Sequence, residues 1–276
     1  PQRSAVSPHS YTMGKHHDVD PGDAVTERDL ELLSDLAWAR FLSVRQVERL
    51  HFPSIRTAQR RLAVLERLGL VRLHLQGEAR HLPRIATLAP LGATVLTNHG
   101  RTSSGPTRAP RLQKLRHGLA IRDAFVAFRC AAHARRIVLH DFRFEEELVS
   151  EPAFRDHRLI PDAAALVERP RAVLLGLEVD LGTETTTVLR AKLAAWRACL
   201  AARPPEAVPL RVVFLCASPR RAKTVRRLSE EARLEPLVLL ASDLEDEIPA
   251  LVGQTGALFV PLVRAVRIGT TEERAR

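Results

Sequence analysis

Residues 159 to 184, LIPDAAALVERPRAVLLGLEVDLGTE, read as two apolar strands with four acids at their ends: Asp162, Glu178, Asp180 and Glu184. Carboxylates that converge at neighbouring strand ends are oxygen ligands of the kind hard cations take, and carboxylates that diverge are merely solvated ends. Both readings stand on the residues alone. The segment that follows, TTTVLRAKLAAWRACLAA, has helical periodicity, with Val188, Leu189, Trp196 and Leu200 on its inward stripe. Lys192 lies on the same stripe at i+3 and i+4 spacing. In a chain with 38 Arg and 4 Lys, an inward lysine needs a partner, and Asp180 and Glu184 are the nearest candidates.

Other chemistry is poorly supplied. Cys130, Cys199 and Cys216 are odd in number, widely spaced and set in apolar segments, so neither a disulfide framework nor a zinc site is expected. No apolar run reaches the roughly 18 residues that would span a bilayer, and the first residues show no signal-peptide stretch. A soluble cytoplasmic protein without membrane partners is therefore expected. Its 276 residues suffice for two domains.

The net charge of +10 is unevenly placed. Residues 1–136 carry 22 Lys and Arg against 11 Asp and Glu, whereas residues 137–276 carry 20 against 21. Between residues 40 and 136 the ratio sharpens to 19 against 4, the footprint of a surface that neutralises phosphates.

That basic half has a readable organisation. Residues 1–25 lack apolar periodicity and are expected to form a flexible tail. TERDLELLSDLAWARF opens on a cap signature at Thr26 and Asp29 and places Leu30, Leu33, Ala37 and Phe41 on one helical face. SVRQVERLHF reads as a second helix entered at Ser43, with Arg45 and Gln46 at its exposed start. SIRTAQRRLAVLERLGL is a third, capped by Ser54, with Ala58, Leu62 and Leu65 buried and Arg56, Gln59, Arg60 and Arg67 outward. LVRLHLQGEARHLPRIATLA then predicts a hairpin turning at Gly77-Glu78, with Arg72, Arg80, His81 and Arg84 near its tip. Three helices and a basic hairpin describe a winged helix-turn-helix over residues 26–98. In that arrangement the third helix enters the major groove and the wing meets the backbone. Arg45, Gln46, Arg56, Thr57, Gln59, Arg60 and Arg80 are the expected contacts with double-stranded DNA. GRTSSGPTRAP, within residues 99–110, reads as a linker.

Residues 111–276 predict a helix, three strands, a helix and a strand, then further helices and short strands. This αβββαβ order implies an α/β domain with a mixed sheet, so that the whole chain is of mixed α+β and α/β class. With Pro161-Asp162 on the second strand and Glu178-Val179-Asp180 on the third, the order resembles the PD-(D/E)XK nuclease superfamily, the restriction-endonuclease-like fold. TERDLELL, RRLAVLERLGLV, RHGLAIRDAF, PDAAAL, LEVDLGTE and AKLAAW, in this sequence, are similar to the replication-relaxation family of plasmids and mobile elements, from about Thr26 to Leu200.

The superfamily resemblance implies that Asp162 and Glu178, with Asp180, hold Mg2+, and that the metal activates water and stabilises charge on a phosphate. The superfamily usually has a lysine two residues after the Glu, where this sequence has Asp180. Lys192 is the candidate substitute, and it either completes a relocated catalytic set with Asp162 and Glu178 or neutralises a structural cluster. Many superfamily members add an acid from the first helix, for which Asp123 is the candidate, and Glu145, Glu146 and Glu147 are read as a solvated strand end. His117 resembles a family histidine and is read as a packed or capping group. The leading expectation is a DNA-binding protein of plasmid or mobile-element replication or mobilisation, with replication or relaxase proteins and a second copy of the chain as further partners. A Mg2+-dependent endonuclease is the enzymatic alternative, and a winged-helix transcriptional regulator is the third.

Overall fold

In a computed structural model of the full chain, residues 25–74, 83–103 and 105–253 are described. The expected tail, the hairpin tip with Arg80 and His81, and the apolar segment ALFVPLV lie outside the described residues.

Local signals set the first three helices. Thr26 accepts from the Asp29 amide while Asp29 accepts from the Thr26 amide at 2.8 Å, a capping box that starts α1 (Glu27–Ala39). Ser43 and Gln46 form the same reciprocal pair at α2 (Val44–His51), and Ser54 caps α3 (Ile55–Arg67). Gly69, at φ +72°, provides the left-handed turn after α3 that admits β2 (Val71–His74). β2 pairs antiparallel with β3 (Ile85–Leu88), and a two-residue β1 (Leu42–Ser43) completes a three-stranded sheet in the order β1-β3-β2. α4 (Pro90–Asn98) follows.

The second part is built on a long helix, α5 (Leu112–His133), and a five-stranded mixed sheet. Strand β4 (Val138–Phe144) ends at a one-turn helix α6 (Glu145–Leu148), and a second single turn, α7 (Pro152–Arg155), leads to β5 (Ala163–Glu168) and β6 (Ala172–Asp180). Helix α8 (Thr186–Ala201), β7 (Leu210–Cys216), α9 (Pro219–Ala232), β8 (Leu237–Leu240) and α10 (Leu244–Gly253) complete it. The strand order is β4-β5-β6-β7-β8; β4, β5 and β6 pair antiparallel, and β6, β7 and β8 run parallel. One expectation changes here. Glu145 to Glu147 open a helical turn rather than ending a strand, because the Glu147 carboxylate accepts from the Phe144 amide at 3.0 Å and turns the chain.

Leu175, Leu177 and Val179 face one core, shared with α1, α2, α5 and α10, while α8 and α9 cover a second core on the other side of the sheet. The first core runs without interruption from Leu30 to Leu251, so the two parts of the chain pack on one another. Polar contacts pin the junction. The Trp38 indole donates to the Phe142 carbonyl at 2.7 Å, and Arg122, 3% exposed, donates to the Ala39 carbonyl at 3.0 Å. The Arg122 guanidinium is stacked between the rings of Phe41 and Phe144, 4.2 Å from each centroid. Burial lowers its pKa to about 10, against the nearby charge of Glu146. Residues 99–110 are also engaged: Thr107 and Leu88 exchange two hydrogen bonds, and Arg101 pairs with Glu27.

Candidate functional site

Asp162 stands immediately before β5, and the register that sets Ala163 opposite Leu177 brings it beside β6. Its Oδ2 accepts from the Val179 amide at 2.7 Å, fixing the carboxylate at the end of the sheet. On β6 the alternation of side chains puts Gly176, Glu178 and Asp180 on the face covered by α8 and α9. Gly176 is required there by close approach, since a Cβ atom would fall 2.2 Å from Trp196 Cη2. The indole lies against the bare backbone and donates from Nε1 to Glu178 Oε1 at 2.7 Å. Glu178 is therefore placed by a tryptophan from α8.

The same helix supplies the cation. Leu189, Leu193, Trp196 and Cys199 form its buried stripe, while Val188 is exposed because it occupies the solvent edge of the first turn. Lys192, between Leu189 and Trp196, reaches Glu178 Oε2 at 2.9 Å and Glu184 Oε1 at 3.0 Å. The expected partner Asp180 belongs elsewhere. Its Oδ2 is 2.5 Å from Arg221 Nε and its Oδ1 accepts from the Gly182 amide at 2.8 Å, while Arg221 Nη2 donates to the Glu184 carbonyl at 3.0 Å. Arg221 thus clamps the end of β6 and the following turn to α9.

Electrostatics follow from this placement. Glu178 is 1% exposed, and burial raises its pKa to about 8 against the opposing effect of Lys192, with Asp162 pushing the same way as burial. Burial works against the Lys192 ammonium too, but Glu178, Asp162 and Glu184 outweigh it and hold the ammonium charged. The close ion pair makes an ammonium facing the carboxyl the arrangement that both shifts describe. At the open side, His117 Nε2 lies 3.0 Å from Asp162 Oδ1; that bond raises the imidazole pKa, with burial opposing. His117 is thus bound to a site acid rather than simply packed.

The predicted metal set Asp162, Glu178 and Asp180 does not form one ligand cluster. Among the described residues no three His, Cys, Asp or Glu side chains are grouped to hold a metal ion. Arg221 occupies Asp180, and Lys192 stands on the Glu178 oxygen that a cation would use. The residues as arranged do not fit Mg2+. Asp123 does not join the site either. Six residues from His117, it points to another side of α5 and accepts from Gln46 Nε2 at 2.8 Å.

On the basic half, Arg45, Arg56, Thr57, Gln59 and Arg60 are exposed, and the four arginines Arg45, Arg56, Arg60 and Arg67 make no ion pair among the described residues. Gln46 is the correction. It is 3% exposed, spends its carbonyl on the Ser43 amide and donates from Nε2 to the Leu119 carbonyl at 2.9 Å as well as to Asp123. It holds α2 to α5 and presents nothing to a groove. Sequence reasoning missed Arg221 and the Trp196 contact. The available signal was the parallel crossover, which brings the first turn of each following helix to the carboxyl ends of β6 and β7.

The replication-relaxation family profile matches residues 33–207. The chain belongs to this family. The matched span of this replication-relaxation protein includes α2, α3, Asp162, Glu178 and Lys192, and stops before Arg221. No curated protein sequence matches it. Among solved structures it is similar to restriction endonuclease FokI bound to DNA, with a TM-score of 0.28 and 14% identity over 82% of this chain and 45% of FokI. FokI without that description of bound DNA gives the same TM-score and identity over 82% of this chain and 44% of FokI. The chain spans less than half the length of either. No described helix is long and apolar enough to cross a membrane.

Proposed function

We propose that this replication-relaxation protein binds double-stranded DNA through α3 and the β2–β3 hairpin in plasmid or mobile-element replication or mobilisation, with the acid-bearing sheet as a nuclease-like second part. The observation that carries the reading is the outer face of α3: Arg56 and Arg60, one helical turn apart, are exposed with no carboxylate partner among the described residues, flanked by Thr57 and Gln59. A helix face with uncompensated guanidinium groups supplies phosphate contacts, and its hydroxyl and amide supply base-edge contacts. The helix–strand–helix–helix–strand–strand order around it supports a winged helix-turn-helix. Because this unit shares its core with α5 and the sheet, the test uses the full chain. Duplex affinity is measured by fluorescence anisotropy against salt for the protein and for Arg56→Ala/Arg60→Ala. Loss of two phosphate contacts should flatten the log–log salt slope by about 2. An unchanged slope and affinity overturns the assignment of α3.

A second reading, a metal-dependent endonuclease, has the neighbouring acids Asp162 and Glu178 in its favour and requires Lys192 to leave the Glu178 oxygen on which it stands. It predicts nicking of supercoiled plasmid by the purified protein in Mg2+ or Mn2+, lost in Asp162→Ala. Absence of nicking in both metals excludes it.

A further inference from the structure

A separate basic surface lies at the far end of α5. There a shallow open cavity of about 690 Å³ is lined by Arg129 and His133 of α5, by Arg135 and Arg136 just after it, by the start of β4 and by Glu168, Arg169 and Pro170 at the β5–β6 turn. The chain leaves α5 through two hydrogen bonds, Arg135 amide to Ala132 carbonyl and Arg136 amide to Ala131 carbonyl, which set the backbone of both arginines at the cavity edge. Arg135, Arg136 and Arg169 have no carboxylate partner among the described residues. The one lining acid, Glu168, is already engaged by His140 at 2.7 Å. Three arginines from two chain segments, unpaired among the described residues, line one open concavity whose one lining carboxylate is occupied.

Its position relates it to the reading helix. Arg129 meets Asp35 at 3.0 Å, and Asp35 meets His51 at 3.1 Å, the last residue of α2. Three residues beyond His51, Ser54 caps α3. The cavity is therefore linked through Arg129, Asp35 and His51 to the end of α2, the helix whose counterpart in a helix-turn-helix arrangement crosses the duplex backbone.

We infer that Arg135, Arg136 and Arg169 form a second phosphate-contacting surface that takes the backbone of the same duplex beyond the segment read by α3. The inference rests on the DNA-binding reading proposed above. The shared core supports it, since α5 joins the two surfaces in one packed body and both can engage one rigid duplex without an ordering cost for a linker.

The test measures salt-dependent anisotropy of the full chain on mixed-sequence duplexes of about 12 and about 40 base pairs, the shorter holding little more than one turn of about 10 base pairs and so reaching one surface at a time. The protein should show a steeper slope on the longer duplex. In Arg135→Ala/Arg136→Ala/Arg169→Ala the slope on the longer duplex should fall by about 2 to 3, with affinity near 0.1 M salt reduced tenfold or more. On the shorter duplex the variant should bind as the parent does, through α3. The corresponding triple Lys variant should retain most of the slope, since ammonium groups neutralise phosphates as guanidinium groups do. Equal slopes for parent and triple Ala variant on the longer duplex overturn the inference while leaving α3 untouched. If Arg56→Ala/Arg60→Ala changes nothing on either duplex, the DNA-binding reading of α3 has failed instead.

Discussion

Replacing Lys192 by methionine removes an ammonium, keeps most of the stem's volume and tests the ion pair that organises the acid site. Lys192 Nζ is 2.9 Å from Glu178 Oε2, and Glu178 is 1% exposed. Removing one partner of a buried pair leaves an uncompensated charge and costs about 3–5 kcal/mol; the partial exposure of Lys192 places the expectation near about 3 kcal/mol. The second contact, to the more exposed Glu184, contributes about 1 kcal/mol or less. The cost has a definite pH dependence. Glu178 has its pKa raised from 4.5 to about 8, chiefly by burial, so the folded protein holds this proton more tightly than the unfolded chain. The associated stability is complete below 4.5 and is lost as pH climbs through about 8. Without Lys192 the carboxyl rises further and the loss extends to higher pH. Urea unfolding followed by tryptophan fluorescence should therefore show the variant close to the parent near pH ~5 and most destabilised near pH ~9. Adding Glu178→Gln to Lys192→Met should restore most of the alkaline loss. Equal destabilisation at both pH values would show that Glu178 is not the group that needs the ammonium, and the reasoning would fail.

Gly176→Ala should destabilise the protein by about 1–3 kcal/mol, because the new methyl would meet Trp196 Cη2 at 2.2 Å and displace the indole from Glu178. Thermal unfolding checks it, and an unchanged midpoint would show that the indole is not pinned against the strand. Gln46→Ala should cost about 1–3 kcal/mol by removing a cap and taking the amide donor from the Asp123 carboxylate. Its duplex salt slope should match the parent's; a lower slope with unchanged stability would mean that Gln46 reaches DNA after all.

The elements that were legible are those whose signals are local. Thr26, Ser43 and Ser54 announce their helices within four residues, and the apolar runs of β5, β6 and β7 announce strands. The exposed arginines of α3 were legible for the same reason, since Ala58, Leu62 and Leu65 define the buried face and leave the remainder outward. Gln46 was misplaced because two demands compete for an N3 glutamine. It served the cap, as the spacing from Ser43 allows, but its amide was claimed by α5, 73 residues away. Asp180 and Arg221 are 41 residues apart and meet across a parallel crossover, a relation that periodicity does not encode. Lys192 was legible as an inward lysine because its neighbours on the stripe are local; which acid it meets depends on strand register, which is not.

The two acids that stand side by side at the end of the sheet, Glu178 and Asp162, are held by different cores. Glu178 receives Trp196 and Lys192 from α8, so its geometry depends on the packing of α8 over Gly176. Asp162 receives His117 from α5, the helix that also carries Arg122 and the contacts to Gln46, and so its outer contact depends on the core shared with the basic three-helix unit. Asp180 takes no part in either arrangement, because Arg221 uses it to fasten the turn that leads into α8. A lysine at position 180 would share the Glu178 face of the strand, and Lys192 reaches that same face from the helix above. The exchange leaves one cation on Glu178 while freeing the strand end to anchor α9. Lys192 and Arg221, joined by His117 when protonated, face the four acids Asp162, Glu178, Asp180 and Glu184. Divalent metal would have to displace Lys192 from Glu178 to bind there, which makes the lysine, more than the acids, the residue on which any metal chemistry of this sheet turns.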